Sequence, residues 1–249
     1  MHAKRSPDQL PLLRGGHCGR DSAANGPSMA AFESGIATGK STVTNIVRRS
    51  GVPIIDCDEI AHLVSRKGRW GYKRVLRAFG SGFLKEDGEL DRERLGELVF
   101  NDAKSRRKLN KATHPAVTVE IAKQLLRHLL RGHRLVAIDM PLLFETGAYL
   151  LTWPRVLVKC DPETQVKRLV DRDGCSLELA QSKVAAQMPL EVKQQKSQYI
   201  IDNSSTRQET EEQVVDTFGR LKKGLWWKST LQIPVNVVVI VIFALNALV

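Results

Sequence analysis

Short apolar runs alternate with amphipathic segments along the central part of the chain. Four runs are typical of buried strands, at residues 52–58, 135–139, 155–160 and 198–202, and a weaker run at 29–34 precedes them. Between them, apolar residues such as Val43, Ile46 and Val47 recur at the spacing of one helix face. Strands that alternate with helices predict an α/β fold with a parallel, doubly wound sheet, whose ligand crevice lies at the carboxyl ends of the strands.

The segment from residue 60 to residue 134 is mostly helical in pattern. Gly68, residues 80–82 and residues 86–88 mark turns within it. His114 and Pro115 interrupt a later helical run, and a histidine in front of a proline favours a structural turn over a catalytic role.

The loop after the first apolar run has the composition of a phosphate-binding loop. Gly39 lets backbone N–H groups close around phosphate oxygens, Lys40 reaches the β- and γ-phosphates, and the Ser41 hydroxyl can hold Mg²⁺. The following helix directs its positive N-terminus at the anion. The pattern G-x-x-x-x-G-K-[ST] has Ser34 in place of its first glycine, so a Gly/Ser/Thr surface loop before an amphipathic helix is the alternative interpretation.

Carboxylates stand where two of the predicted strands end. Asp56 and Asp58 are two residues apart and would share a strand face at the crevice, and Asp139 ends the next strand. A carboxylate there can accept a proton from an attacking hydroxyl or bind Mg²⁺ through water, or it can cap the helix that starts near Ile60. We predict that one of the pair caps the helix and that Asp58 is the functional residue.

A charged helix is predicted after Asp161. It carries Arg168 and Arg172 four residues apart, and therefore on one face. Such a helix is usually a solvated face, but in a phosphate-transfer fold a basic flap over the nucleotide supplies charge to the transferring phosphoryl group.

Net charge and cysteine content limit the expected partners and compartment. The chain has 249 residues and a formal net charge of +11, which favours an anionic partner: a polyphosphate metabolite, nucleic acid or an acidic membrane. Four widely spaced cysteines without a C-x-x-C pair indicate a reducing, intracellular compartment. No RNA- or DNA-binding motif is found, so a nucleic-acid partner is not expected.

The two ends of the chain differ from its middle. Residues 1–28 are rich in Gly, Pro, Ser, Arg and His and are expected to be disordered, without the apolar core of a secretory signal. Residues 231–249 are nearly all apolar and follow Trp226, Trp227 and Lys228, as at a membrane interface. We therefore expect three parts: an extension (1–28), a domain (29–221) and a basic, apolar tail (222–249). The tail would be an anchor to an organelle membrane, mitochondrial or endoplasmic reticulum.

The ordered series of motifs resembles the dephospho-CoA kinase family, including the dephospho-CoA kinase domain-containing proteins of animals. The matching stretches run from about Phe32 to about Leu221. They are GIATGKST at 35–42, IDCD at 55–58, DGELDR at 87–92, LNKATHP at 109–115, DMPLLFE at 139–145, ETQVKRL at 163–169 with Arg172, AQ at 186–187 and IDN at 201–203.

The resemblance implies a P-loop NTPase fold like that of the nucleoside-monophosphate kinases, with a parallel five-stranded sheet, a helical acceptor domain and a lid. It implies that the chain phosphorylates the ribose 3′-hydroxyl of dephospho-CoA with ATP and Mg²⁺. Asp58 would face the acceptor hydroxyl, Arg172 would belong to the lid and Asn203 would lie near the adenine. The loop that holds the ATP phosphates and Mg²⁺ would consist of Gly35, Ile36, Ala37, Thr38, Gly39, Lys40, Ser41 and Thr42.

The start of the loop departs from the family. The family has two glycines where this chain has Ser34 and Gly35, and a strand ending in Gly-x-Thr where it has Ala31, Phe32 and Glu33. We expect a badly packed first strand, strain at Ser34 if that position needs a positive φ, and a Glu33 charge close to the charge of ATP. The alternative is then a catalytically impaired, membrane-attached nucleotide- or CoA-binding member of the family.

Overall fold

Five parallel strands form the sheet of the computed structural model, which describes residues 28–145 and 152–224. Along the sheet the order is β2-β3-β1-β4-β5. The strands are β1 (Ser28–Ser34), β2 (Ile54–Asp56), β3 (Leu135–Asp139), β4 (Arg155–Lys159) and β5 (Tyr199–Asp202). The predicted doubly wound parallel sheet is confirmed, and its strands lie within a few residues of the apolar runs.

Helices connect the strands and cover both faces of the sheet. They are α1 (Lys40–Arg49), α2 (Cys57–Val64), α3 (Trp70–Phe79), α4 (Arg92–Asn101), α5 (Ala103–Leu130), α6 (Pro162–Asp173), α7 (Leu177–Ala185), α8 (Leu190–Lys196) and α9 (Arg207–Gly224), with a 3₁₀ turn at Ser81–Phe83. Several begin at a residue whose side chain accepts a backbone N–H of the first turn, which satisfies an otherwise unpaired donor. These residues are Asp56, Asp91, Asp102, Asp161 and Ser176.

The first strand is central and buried, so the prediction of a badly packed first strand is wrong. β1 pairs with β3 on one side and β4 on the other, and Ala30, Ala31 and Phe32 are fully buried. Alternate residues face opposite sides of the sheet. Phe32 packs with Phe218 in the core under α1 and α9, and Ala31 packs with Phe144 on the other face. The small alanines let both layers approach the strand.

Helix α5 runs without a break through Pro115, so the predicted turn at His114 and Pro115 is wrong. A proline inside a helix leaves the carbonyl four residues earlier without its donor. Here Arg74 of α3 supplies donors, with Nη2 3.2 Å from the Lys111 oxygen and Nε 2.9 Å from the Ala112 oxygen. The helix is continuous because a neighbouring helix serves the carbonyls at the proline.

Helices α3, α4 and α5 enclose an apolar cluster of their own, separate from the clusters against the sheet. Its buried members are Tyr72, Val75, Leu90, Leu95 and Ala112. The structure therefore contains the helical part expected between residues 60 and 134, set beside the carboxyl-terminal end of β2 by the short helix α2.

Two of the predictions concern residues outside the described part of the chain. They are the disordered extension, of which only Ser28 is described, and the apolar tail at 231–249 with its tryptophans. In residues 28–145 and 152–224, none of the helices has the length and apolarity needed to cross a bilayer.

Candidate active site

The loop between β1 and α1 turns on Gly39. This residue caps α1 with a φ of 93°, in the left-handed region that side chains disfavour. A Cβ added to it would lie 1.9 Å from Nδ2 of Asn203. The position therefore accepts only glycine, and the backbone N–H groups at the start of α1 are presented to an anion, as the sequence predicts.

Ala37, not Ser34, takes the unusual backbone conformation of the loop. Ala37 has a φ of 56°, which costs an alanine about 1 kcal/mol. Ser34 is the last residue of β1, and no positive φ occurs there. The expectation of strain at Ser34 is thus wrong, and the strained residue is Ala37, where no strain was expected from the sequence.

Side chains from distant elements fix the backbone of the loop. Gln165 of α6 donates to the Ile36 oxygen at 2.7 Å, and Gln187 accepts from the Ile36 N–H at 3.0 Å. The buried Asn203 donates to the Thr38 oxygen at 2.7 Å and accepts from Thr210. Asn203 therefore lies directly behind the loop, and its predicted contact with adenine stays a prediction.

Lys40 lies between two carboxylates. Its Nζ is 3.2 Å from Oδ2 of Asp58 and 3.2 Å from Oδ1 of Asp139. Burial opposes the charge on Lys40, but Asp139 and then Asp58 outweigh it and raise its pKa. Burial also raises the pKa of Asp139 to about 6, against the opposing effect of Lys40. Asp139 is 1% exposed and Asp58 is 60% exposed, so only Asp58 is open to a second substrate.

Asp56 caps α2, as predicted for one of the pair, although Asp56 and Asp58 do not share a strand face; the functional role of Asp58 stays a prediction. Strand β2 ends at Asp56, and α2 begins at Cys57 rather than near Ile60. Oδ1 of Asp56 accepts the N–H groups of Asp58 and Glu59, at 2.8 and 3.1 Å. Asp56 is therefore the N-cap, and the first turn of the helix brings the Asp58 carboxylate to Lys40.

Two arginines of α6 line the cleft beside the loop, but they are held differently. Arg172, the predicted lid residue, is bound to Asp173 at 2.8 Å. Arg168 donates through Nη2 to the backbone oxygen of Asn203, and its buried Nη1 has no hydrogen-bond partner among the described residues. That Nη1 lies 3.7 Å from the position of a Cβ on Gly39. An unpartnered cationic donor beside the loop fits a phosphate oxygen.

Glu33 does not bring its charge to the phosphates, so that expectation is wrong. It is 1% exposed, lies outside the lining of the cleft and is ion-paired with the buried Lys193 of α8. Its Oε2 accepts the Phe144 N–H at 2.9 Å. The alternation of side chains along β1 sends Glu33 to the face of Ala31, where α8 neutralises it.

The cleft over the loop has a volume of about 430 Å³ and holds oxygen ligands that suit Mg²⁺. The Ser41 hydroxyl stands in the first turn of α1. Oδ1 of Asp139 is ion-paired with Lys40, and the buried Oδ2 has no hydrogen-bond donor among the described residues. In the described part of the chain no three His, Cys, Asp or Glu side chains converge as a metal cage. A magnesium ion with few protein ligands, completed by water and phosphate, fits this arrangement.

Four contributors to the site were not assigned a role from the sequence. Asp139 was visible as a carboxylate at a strand end, and Arg168 as the partner of Arg172 on one helix face. Gln165 and Gln187 lie in stretches that match the family, at 163–169 and 186–187, but their contacts with Ile36 could not be predicted because each spans more than a hundred residues of sequence.

The sheet, the glycine-lysine-serine loop after its central strand and the two arginines beside it define a P-loop kinase. A profile of the family described as dephospho-CoA kinase matches residues 29–209. The chain belongs to the dephospho-CoA kinase family.

Relatives from plants, animals and bacteria that match most of the chain have names from the same family. The chain is 38% identical to a dephospho-CoA kinase of Oryza sativa over 204 residues, which are 82% of this chain and 89% of the relative. It is 40% identical to a dephospho-CoA kinase domain-containing protein of Danio rerio over 195 residues (78% and 85%). It is 42% identical to a dephospho-CoA kinase of Geobacillus kaustophilus over 183 residues (73% and 90%).

Two solved structures that are 29% identical to this chain have a similar fold. A dephospho-CoA kinase from Campylobacter jejuni is 29% identical with a TM-score of 0.60, and the match covers 79% of this chain and 98% of that one. A Thermus thermophilus protein designated TT1252 gives a TM-score of 0.67 at the same identity and coverage.

Proposed function

We propose that this chain transfers the γ-phosphoryl group of ATP to the ribose 3′-hydroxyl of dephospho-CoA, which gives ADP and CoA, the last step of CoA biosynthesis. The observation that carries the proposal is the arrangement around Lys40. A lysine of the phosphate-binding loop has an exposed carboxylate, Asp58, 3.2 Å from its Nζ. The lysine that would bind the phosphates of ATP is thus in direct contact with a carboxylate that can accept the proton of the acceptor hydroxyl.

The residues of the site then have distinct tasks. The backbone of residues 35–42 and Lys40 hold the β- and γ-phosphates, and Arg168 and Arg172 face the phosphoryl group as it transfers. The acceptor oxygen forms a bond to the γ-phosphorus while the bond from that phosphorus to the β–γ bridging oxygen breaks. Asp58 orients the hydroxyl and takes its proton.

Ser41, and Asp139 through water, would hold Mg²⁺, which supplies positive charge to the β- and γ-phosphate oxygens when bound. The helices around the Tyr72 and Leu95 cluster would bind the rest of dephospho-CoA, since they stand beside α2 and its Asp58.

The test is phosphoryl transfer to dephospho-CoA by the wild-type chain and by Asp58→Asn. We expect a 3′-phosphate monoester in the product, observed by ³¹P NMR. We expect a kcat for Asp58→Asn that is lower by about 10²- to 10⁴-fold, because the variant loses the proton acceptor. Glu97→Gln, on the exposed side of α4, is the matched control and should behave as wild type. ATP turnover without phosphorylation of dephospho-CoA would refute the proposal.

A further inference from the structure

A buried ion cluster lies beneath the phosphate-binding loop, outside the lining of the nucleotide cleft. Lys193 of α8, 3% exposed, pairs with Glu33 and has its Nζ 2.6 Å from Oε1 of Glu145. Glu33 is 1% exposed and Glu145 is 21% exposed. Phosphoryl transfer as described above uses none of these three side chains.

Stability alone is a poor explanation for such a cluster. Taking charges out of water is costly, and well-packed apolar side chains of the same volume often serve stability as well. What the cluster does uniquely is connect elements. It joins the last buried residue of β1, the segment after β3 and helix α8, through side chains that are up to 160 residues apart in sequence.

The cluster also holds backbone groups at both of its ends. Glu33 accepts the Phe144 N–H at 2.9 Å, and Glu145 accepts the Met188 N–H at 3.2 Å. Met188 lies in the short connection between α7 and α8. The residue before it, Gln187, accepts the Ile36 N–H of the phosphate-binding loop at 3.0 Å.

The connection between α7 and α8 is therefore fixed on two sides. On one side Gln187 holds the loop at Ile36, and on the other Met188 is held by Glu145 and, through it, by Lys193. Gln165 of α6 completes the frame, since it donates to the Ile36 oxygen at 2.7 Å. Lys193 therefore links β1, which enters the loop, to the connection that follows α6 and α7, the helices of the predicted lid.

We propose that Lys193 is a positioning residue for ATP: through Glu33 and Glu145 it fixes the phosphate-binding loop relative to helices α6 and α7. The proposal deepens the proposed function, on which it rests for the identity of the reaction. Geometry of the loop and lid matters most for the triphosphate. Loss of Lys193 therefore weakens the binding of ATP and leaves that of the acceptor unchanged.

The variants separate positioning from folding. Lys193→Met removes the ammonium group and leaves the buried Glu33 and the partly buried Glu145 without it, which is expected to destabilise the fold. Glu33→Gln/Lys193→Met removes one charge of each sign with little change in volume, and the glutamine can still accept the Phe144 N–H. Gln195→Met, on the exposed side of α8, is the matched control.

The measurements are the melting temperature, the Kd for Mg²⁺ and the non-hydrolysable analogue AMP-PNP by calorimetry, and the KM values for ATP and dephospho-CoA. We expect the double variant to recover most of the melting temperature that Lys193→Met loses. In both variants we expect the Kd for the analogue and the KM for ATP to rise on the order of tenfold, with the KM for dephospho-CoA unchanged.

Wild-type affinity for the analogue in the double variant would overturn the proposal, as would equal changes in both KM values, because Lys193 would then only stabilise the fold. So would a wild-type chain that does not bind the analogue. A wild-type chain that binds the analogue but does not phosphorylate dephospho-CoA would count against the proposed function alone, and the calorimetric comparison would still decide the role of Lys193.

Discussion

At the scale of single residues, the environment of a side chain decides its effect more than its distance along the chain from the site. Glu33 is one residue before the loop, and its sequence position predicts repulsion of ATP. Because strand residues alternate between faces, it points away from the phosphates and meets Lys193. Asp139, in contrast, ends a strand in the cleft and contacts the lysine of the loop.

Asp139 gives the nucleotide-free protein a pH-dependent stability. Its pKa of about 6 in the folded state lies above the ordinary value of 3.8, so the folded chain binds this proton more tightly than the unfolded chain. The contribution of this proton to the free energy of unfolding is fully present below the unfolded pKa and is lost as the pH rises through about 6. Asp139→Asn should therefore gain stability relative to wild type as the pH rises, by at most roughly 3 kcal/mol.

Urea denaturation of the two nucleotide-free proteins at about pH 4.5 and about pH 7 measures this difference. Asp171→Asn, at an exposed position of α6, is the control and should follow wild type at both values. The raised pKa of Asp139 would be contradicted if the stability of Asp139→Asn relative to wild type were the same at both pH values or fell toward pH 7.

At the scale of elements, the strands and most helices could be predicted because their patterns are local. The apolar runs of β3 and β4 and the face formed by Val43, Ile46 and Val47 are visible in short windows of sequence. Helix α5 could not be predicted, because what keeps it continuous at Pro115 is Arg74 on another helix. Strand β1 was predicted as a weak run, but its burial was not, because it depends on pairing with β3 and β4, which lie far away in sequence.

The account of α5 predicts a coupling between Arg74 and Pro115. Arg74→Met should lower the free energy of unfolding by about 1–2 kcal/mol, because the carbonyl groups of Lys111 and Ala112 lose a charged donor. In a Pro115→Ala background the helix regains its own donor for Lys111, so the same change should cost less. A double-mutant cycle by chemical denaturation measures this difference.

Arg77→Met, on the exposed side of the same helix, is the control for the loss of an arginine. If Arg74→Met costs as much in the Pro115→Ala background as in wild type, Arg74 does not serve the carbonyl freed by the proline.

At the scale of the whole molecule, the role predicted for Asp58 stays a prediction. The sequence was sufficient for the class of fold, for the position of the loop and Lys40, and for the capping role of Asp56. These depend on residues close together in the chain. The frame around the loop was not accessible, because Gln187, Asn203 and Lys193 act on residues 151, 165 and 160 positions away. From the sequence, weakened nucleotide binding was expected and a catalytically impaired member was the alternative, whereas the folded chain compensates Glu33 and places no positive φ at Ser34.

The measurement that tests this account most directly compares kcat/KM for phosphorylation of dephospho-CoA between wild type and Glu33→Thr/Ser34→Gly, which restores the residues typical of the family. The double variant leaves Lys193 paired with Glu145. We predict that wild type is active and that its kcat/KM is not lower than that of the double variant, because the ion-paired Glu33 leaves the phosphates undisturbed and its loss removes one of the two carboxylates through which Lys193 fixes the loop. An inactive wild type beside an active Glu33→Thr/Ser34→Gly variant would contradict the account and show that this loop is disabled.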